Sequence, residues 1–269
     1  MSTWKAKILD FTWEDIRVRE KFDLYINKLA QKYLELTRSS CLNKVSLIGA
    51  GNTNFFLSTK EWVEAINRED TKFVPISTQW GYTYFKTSHH FIDLTKIKSQ
   101  SEGTGASAGL CLIDACWHEW GHSDIKERNE GSLLNSKYGY FSPISNTPEQ
   151  WLKYRGAEIL TKTYYGLMRF EEVLNETITK RRMVEEVGLE SIVSAADYYK
   201  VGVDFFPELT IKLGIRLNTL YELHATSNFE ELAITIGSHL RGNDTSLIKG
   251  LNFFIAIHES NKTVIDQMI

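Results

Sequence analysis

The sequence predicts an α+β fold, with a mixed α/β first half and a mostly helical second half. Two patterns carry that prediction. Before residue 100, short runs rich in β-branched and aromatic residues lie between helical segments, as in a small sheet. Beyond Phe170, apolar residues recur at helical spacing almost to the end of the chain. The size agrees: 269 residues, 42% hydrophobic and 24% charged, are near the averages of globular proteins. A chain this long buries a full core without disulfide staples.

Taken in order, Lys7 to Phe11 reads as a short strand. Glu14 to Leu36 reads as a helix, with Ile16, Phe22, Ile26, Leu29, Tyr33 and Leu36 close to helical spacing. Val45 to Ile48 reads as a strand closed by Gly49-Ala50-Gly51-Asn52. Ser58 and Glu61 have capping-box spacing, which starts a helix through Trp62 and Ile66. Lys72 to Ile76, Tyr82 to Lys86 and Phe91 to Leu94 are short β-rich runs. Ser99 to Gly109 is rich in Ser and Gly and reads as a loop, and a long helix follows from about Ser107 to Lys126. Asn129 to Glu149 is polar and irregular, and Ile159 to Met168 reads as extended. Helices are predicted over 170–187, 191–200, 205–213, 217–225, 228–240 and 245–259.

The net charge of −3, from 31 Lys+Arg against 34 Asp+Glu, argues against a nucleic-acid partner held by bulk positive charge. Cys41, Cys111 and Cys116 cannot make a complete disulfide framework, which points to a reducing compartment. Met1 to Asp15 lacks the apolar stretch of a signal peptide, and no window approaches a membrane span. The expected location is cytoplasmic.

One pentapeptide carries chemistry: His118-Glu119-Trp120-Gly121-His122, an H-E-x-x-H sequence. With seven histidines in the chain, chance yields such a match on the order of once in a hundred sequences like this one. Its surroundings therefore matter. On a helix the two histidines lie one turn apart, about 5.4 Å, on one face, so both imidazoles can meet one Zn²⁺. Glu119 falls about 100° further round, beside a metal rather than on it, where a general base belongs. Ile113, Cys116, Trp117 and Trp120 cluster on the opposite side, giving the helix an apolar back. Cys111 lies two turns from His118 and Cys116 among the apolar residues, so both read as core residues, not ligands.

A catalytic zinc site needs a third protein ligand. A third histidine six residues on is missing, because Arg128 stands there, and Ile125 occupies the place of the glycine that would precede it. A downstream glutamate is the alternative. Glu127, Glu130, Glu149, Glu158, Glu171, Glu172, Glu176, Glu185 and Glu186 are the candidates. Glu176 stands out because Met183 and Val187 fall within about 20° of it on a helix, so its side does not face solvent alone.

These segments resemble the gluzincin-type zinc metallopeptidases of the zincin superfamily. His118-Glu119-Trp120-Gly121-His122 is similar to their active-site helix. Leu174-Asn175-Glu176-Thr177-Ile178-Thr179 is similar to their Asn-Glu helix, especially in small bacterial gluzincin-like proteins. The resemblance covers about 80 residues. It implies a zincin-like fold, one Zn²⁺ per chain held by His118, His122 and Glu176, and Glu119 as catalytic base. It also implies a single catalytic domain over 1–269, with an α/β lobe about 1–128 and a helical lobe about 150–269. Lys180 departs from the pattern, since thermolysin-like enzymes place an Asp there to steady a zinc histidine. The gap between His122 and Glu176 is also long, and an inserted hairpin over Tyr138 to Met168 would account for it.

The expected activity is zinc-dependent hydrolysis of a peptide or protein substrate. The alternative is a degenerate zincin-like module that binds zinc and a protein partner without turnover. Tyr198, Tyr199 and His224 are candidates for stabilising the oxyanion. Phe91-Ile92-Asp93-Leu94 is the candidate edge strand for a substrate backbone. His89 and His90, adjacent on a strand, point to opposite faces and make a poor metal pair.

Overall fold

The computed structural model describes residues 3–39, 52–71, 73–75, 79–84, 87, 89–129, 157–188, 210–226 and 229–269. It is α+β, with a three-stranded sheet and mostly helical content. The chain divides into two compact units. One comprises Met1–Asp124 with Thr179–Asp197, the other Ile125–Ile178 with Tyr198–Ile269.

The first unit holds α1 (Thr3–Leu9), α2 (Trp13–Ile16), α3 (Arg19–Ser39), β1 (Thr53–Phe56), α4 (Thr59–Glu69), β2 (Gly81–Tyr84), β3 (His89–Asp93) and α5 (Leu94–Thr104). It also holds α6 (Ala108–Asn129) up to Asp124, and the C-terminal end of α7 (Ala157–Val187). The sheet order is β1-β3-β2, with β1 parallel and β2 antiparallel to β3. Strand periodicity gives the sheet two faces. On one, Phe56, Tyr82, Tyr84 and Phe91 pack with Trp62 and Ile66 of α4. On the other, Phe55 and Ile92 join the main core with Trp117 and Trp120 of α6.

Local chemistry explains several boundaries. Ser58 caps α4, its hydroxyl accepting from the Glu61 amide at 3.5 Å. Asp93 caps α5, accepting from the amides of Thr95 at 2.9 Å and Lys96 at 3.2 Å. Gly105, at φ 71°, ends α5 in the left-handed conformation that favours glycine. Helix α6 is tied down by its tryptophans. The Trp117 indole donates to the Leu29 carbonyl at 3.4 Å, and Trp120 donates to Thr53 Oγ1 at 3.0 Å. Tyr33 meets the Trp120 ring edge-on at 5.7 Å.

The second unit holds most of α7, with α8 (Leu217–Thr226), α9 (Phe229–Ser238), α10 (Ser246–His258) and α11 (Lys262–Met268). Helices α9 and α10 cross closely, because a Cβ on Gly237 or Gly250 would overlap the backbone of the other helix. Phe170 of α7 meets Phe254 edge-on at 5.5 Å, and Lys162 pairs with Glu259 at 2.9 Å.

Several elements differ from the sequence expectation. Lys7 to Phe11 is no strand; residues 3–9 are helical and bury Ile8 completely. That run is too short for periodicity to separate strand from helix. Ser99 to Gly109 contains the last turns of α5, because Ser101 is buried and its hydroxyl donates to the Ala106 carbonyl. Ile159 to Met168 is helical and lies in the first half of α7, where burial of Thr163 and Leu167 overrides their mixed local preference. The inserted hairpin is therefore absent over 157–168, and its remainder lies outside the described residues. Residues 73–75 form no strand, and Phe73 packs on Trp62 and Tyr82 instead. The strand expected over Val45 to Ile48, Cys41 and the helix over 191–200 also lie outside the described residues. Helices α8 to α10 match expectation, and α11 is additional. Among the described residues, no helix is long and apolar enough to cross a membrane.

The tryptophan anchoring yields a measurable expectation. Trp120→Ala should lower stability by about 3–5 kcal/mol through the cavity it leaves. Urea unfolding of the variant against the parent protein measures this.

Candidate metal centre

Helix α6 is buried from Ala108 to His122, with only His118 partly exposed. Its apolar side matches expectation, with Ile113, Cys116, Trp117 and Trp120 all fully buried. The opposite side is buried as well, which the wheel did not predict. It carries Asp114 at 1%, Glu119 at 6% and His122 at 4% exposure. Polar groups in such surroundings need partners.

His118 and His122 partner each other. Their Nε2 atoms lie 3.2 Å apart, with the rings nearly perpendicular at 82°. Two imidazoles on one tetrahedral zinc, at about 2.0–2.1 Å each, would hold their nitrogens roughly 3.3 Å apart. The pair is thus spaced as metal ligands are. One ligand atom each from His118, His122 and Glu172 lies within 4.8 Å of the other two, so the group can hold a metal ion. Glu172 is on α7. Two imidazoles and a carboxylate are a donor set that suits zinc.

The expected third ligand was Glu176. It lies one turn further along α7 and is buried at 5% exposure, but it is not in this group. The carboxylate in the group is Glu172, a half-buried residue. Positions four apart share a helix face, so a wheel cannot choose between them.

Glu119 is held against β2. Thr83 Oγ1 lies 2.6 Å from Glu119 Oε2 and 3.0 Å from His90 Nδ1. Two residues before Thr83, on the same face, a Cβ on Gly81 would overlap the carboxylate at Oε1. Glycine is what allows Glu119 to lie flat on the strand. Burial, with smaller contributions from His122 and His89, pushes the His90 pKa down to about 3. His89 points elsewhere, its Nδ1 2.7 Å from Glu69, as neighbours on a strand should.

Asp114, one turn before His118, pairs with Lys180 at 2.5 Å. Lys180 is the residue that departs from the thermolysin-like pattern, and here the acid sits on α6 and the cation on α7. This ion pair joins the two helices close to the histidines. Burial pushes the Cys111 thiol up to about 11 and the Cys116 thiol up further, so both stay protonated and poorly suited to ligation. Thr83, His90, Gly81 and Asp114 were not singled out for this site from sequence. The alternation of Gly81 and Thr83 on one face of a short strand was the available signal.

Tyr198 and Tyr199 lie outside the described residues, and His224 falls in α8. Strand β3, which contains the expected substrate-binding segment, is central and paired on both sides. Among the described residues, the edge beside Glu119 is β2. Comparison with family models, curated proteins and solved structures finds no match for the chain.

Two expectations follow. Unfolded His90 takes up a proton below about 6.5, whereas folded His90 stays neutral down to about 3. Its contribution to stability is therefore complete above pH 6.5 and is lost as the pH falls towards 3. Urea midpoints measured across that window should fall less steeply for His90→Gln than for the parent. Asp114→Asn, which removes the charge of Asp114 from the largely buried Lys180, should destabilise by about 3 kcal/mol in the same assay.

Proposed function

We propose that the chain is a zinc-dependent hydrolase of peptide bonds, with a gluzincin-type zincin fold. His118, His122 and Glu172 would bind the metal, and Glu119 would serve as the general base. The observation that carries this reading is the 3.2 Å spacing of two histidine nitrogens on a helix that also presents Glu119. A zinc ion held there supplies a Lewis acid and brings the ionisation of water towards neutral pH.

The protein's own residues would do the rest. Glu119 is buried and lies next to His118 in sequence, so its carboxylate can take a proton from water and later return it to a leaving amine. The strand β2, antiparallel to β3 and in contact with Glu119, would pair its other side with an extended peptide. Tyr198, Tyr199 or His224 would stabilise the oxyanion.

Glu119→Gln should bind zinc as the parent does and lose hydrolysis by on the order of 10²–10⁴. Peptide-library turnover and zinc titration read the two effects separately. Unchanged turnover rejects Glu119 as base. Zinc binding by the parent with no turnover of any peptide favours the partner-binding module. In the same titration Glu172→Ala should weaken zinc binding by more than tenfold, as loss of a ligand does, and Glu176→Ala should have the smaller effect. The reverse order returns the third ligand to Glu176.

A further inference from the structure

We infer that His90 and Thr83 form a hydrogen-bonded chain whose task is to position the Glu119 carboxylate. The inference deepens the proposed hydrolase and rests on that reading wherever Glu119 is called a base.

The proton count sets the direction of the chain. Thr83 Oγ1 has three neighbours: Glu119 Oε2 at 2.6 Å, the Glu119 carbonyl at 3.1 Å and His90 Nδ1 at 3.0 Å. A hydroxyl has one proton to give. The carboxylate is both the nearest acceptor and the charged one, so it takes that proton. His90 Nδ1 must then be the donor to Thr83, and the neutral ring carries its proton on Nδ1. All three residues are buried: Thr83 at 3%, His90 at 0% and Glu119 at 6% exposure. Water therefore does not compete for these bonds.

The strand register puts the chain in place. Thr83 stands directly opposite His90 on β3, and His90 stands opposite Thr53 on β1. The row Thr53, His90, Thr83 crosses the sheet on the face that meets α6. Thr53 receives the Trp120 indole, and Thr83 holds Glu119, the residue before it. Consecutive residues of α6 are thus tied to the two ends of one row. Gly81 completes the arrangement by leaving room for the second carboxylate oxygen. A β-branched threonine suits the task because its χ1 is stiff. Thr83 and His90 are positioning residues, since neither is among the proposed metal ligands.

The test uses the full-length protein with Thr83→Val, which keeps the shape and loses the hydroxyl, and Thr83→Ser, which keeps the hydroxyl. Thr83→Val should bind zinc within about threefold of the parent, lower kcat by roughly 10–100-fold and leave KM within about threefold, as misplacement of a reacting group does. Thr83→Ser should recover kcat to within about threefold of the parent. A folded Thr83→Val protein with parental kcat overturns the inference. A second arm needs no turnover. Imidazole-nitrogen NMR of the metal-free parent should show His90 protonated at Nδ1, and Thr83→Val should move the proton to Nε2. A parent protonated at Nε2 overturns the inference. If no peptide is cleaved by the parent, the hydrolase reading fails, and the positioning chain is decided by the His90 tautomer alone.

Discussion

Much of the first unit follows from one constraint: α6 carries its functional groups while buried on nearly every side. A histidine, a carboxylate or an indole N–H taken out of water without a partner costs several kcal/mol. Each such group on α6 accordingly meets a partner from another element or from α6 itself. Trp117 reaches the Leu29 carbonyl of α3, and Trp120 reaches Thr53 of β1. Glu119 meets Thr83 of β2, and Asp114 meets Lys180 of α7. His118 and His122 face each other. The surrounding elements are held where they supply those partners.

The sheet shows the same logic from its own side. Its α4 face carries an aromatic cluster, with Phe56, Tyr82, Tyr84 and Phe91 around Trp62. Its α6 face combines Phe55 and Ile92 with the row Thr53, His90 and Thr83. The polar row sits where α6 presents Glu119 and Trp120. A single register shift would exchange the two faces and leave Glu119 buried against aromatic rings, so pairing register and site geometry are the same choice.

The choice between Glu172 and Glu176 shows where sequence reasoning stops. Glu172 and Glu176 share a face of α7 about 40° apart, so periodicity treats them alike. Their depth along the helix axis separates them. The C-terminal end of α7 is held by Lys180 against Asp114 and by the Arg182 guanidinium, 5.4 Å from the centre of the Tyr33 ring. Neither contact has a local signature. The substrate edge followed the same course. Phe91 to Leu94 has the composition of a strand, but its neighbours in the sheet decide whether a strand is central or at the edge.

The sequence by itself determined the α+β class, the helix that carries His118, Glu119 and His122, the capping of α4, and the burial of Cys111 and Cys116. These depend on spacing and composition within a few turns, where local propensity and amphipathic pattern agree. Tertiary structure alone decided that Lys180 answers Asp114 and that, among the described residues, β2 is the edge beside Glu119. It also made Lys7 to Leu9 and Ile159 to Met168 helical. Each of these depends on contacts between residues far apart in the chain, and burial against a distant partner outweighs a local preference worth only a few tenths of a kcal/mol per residue.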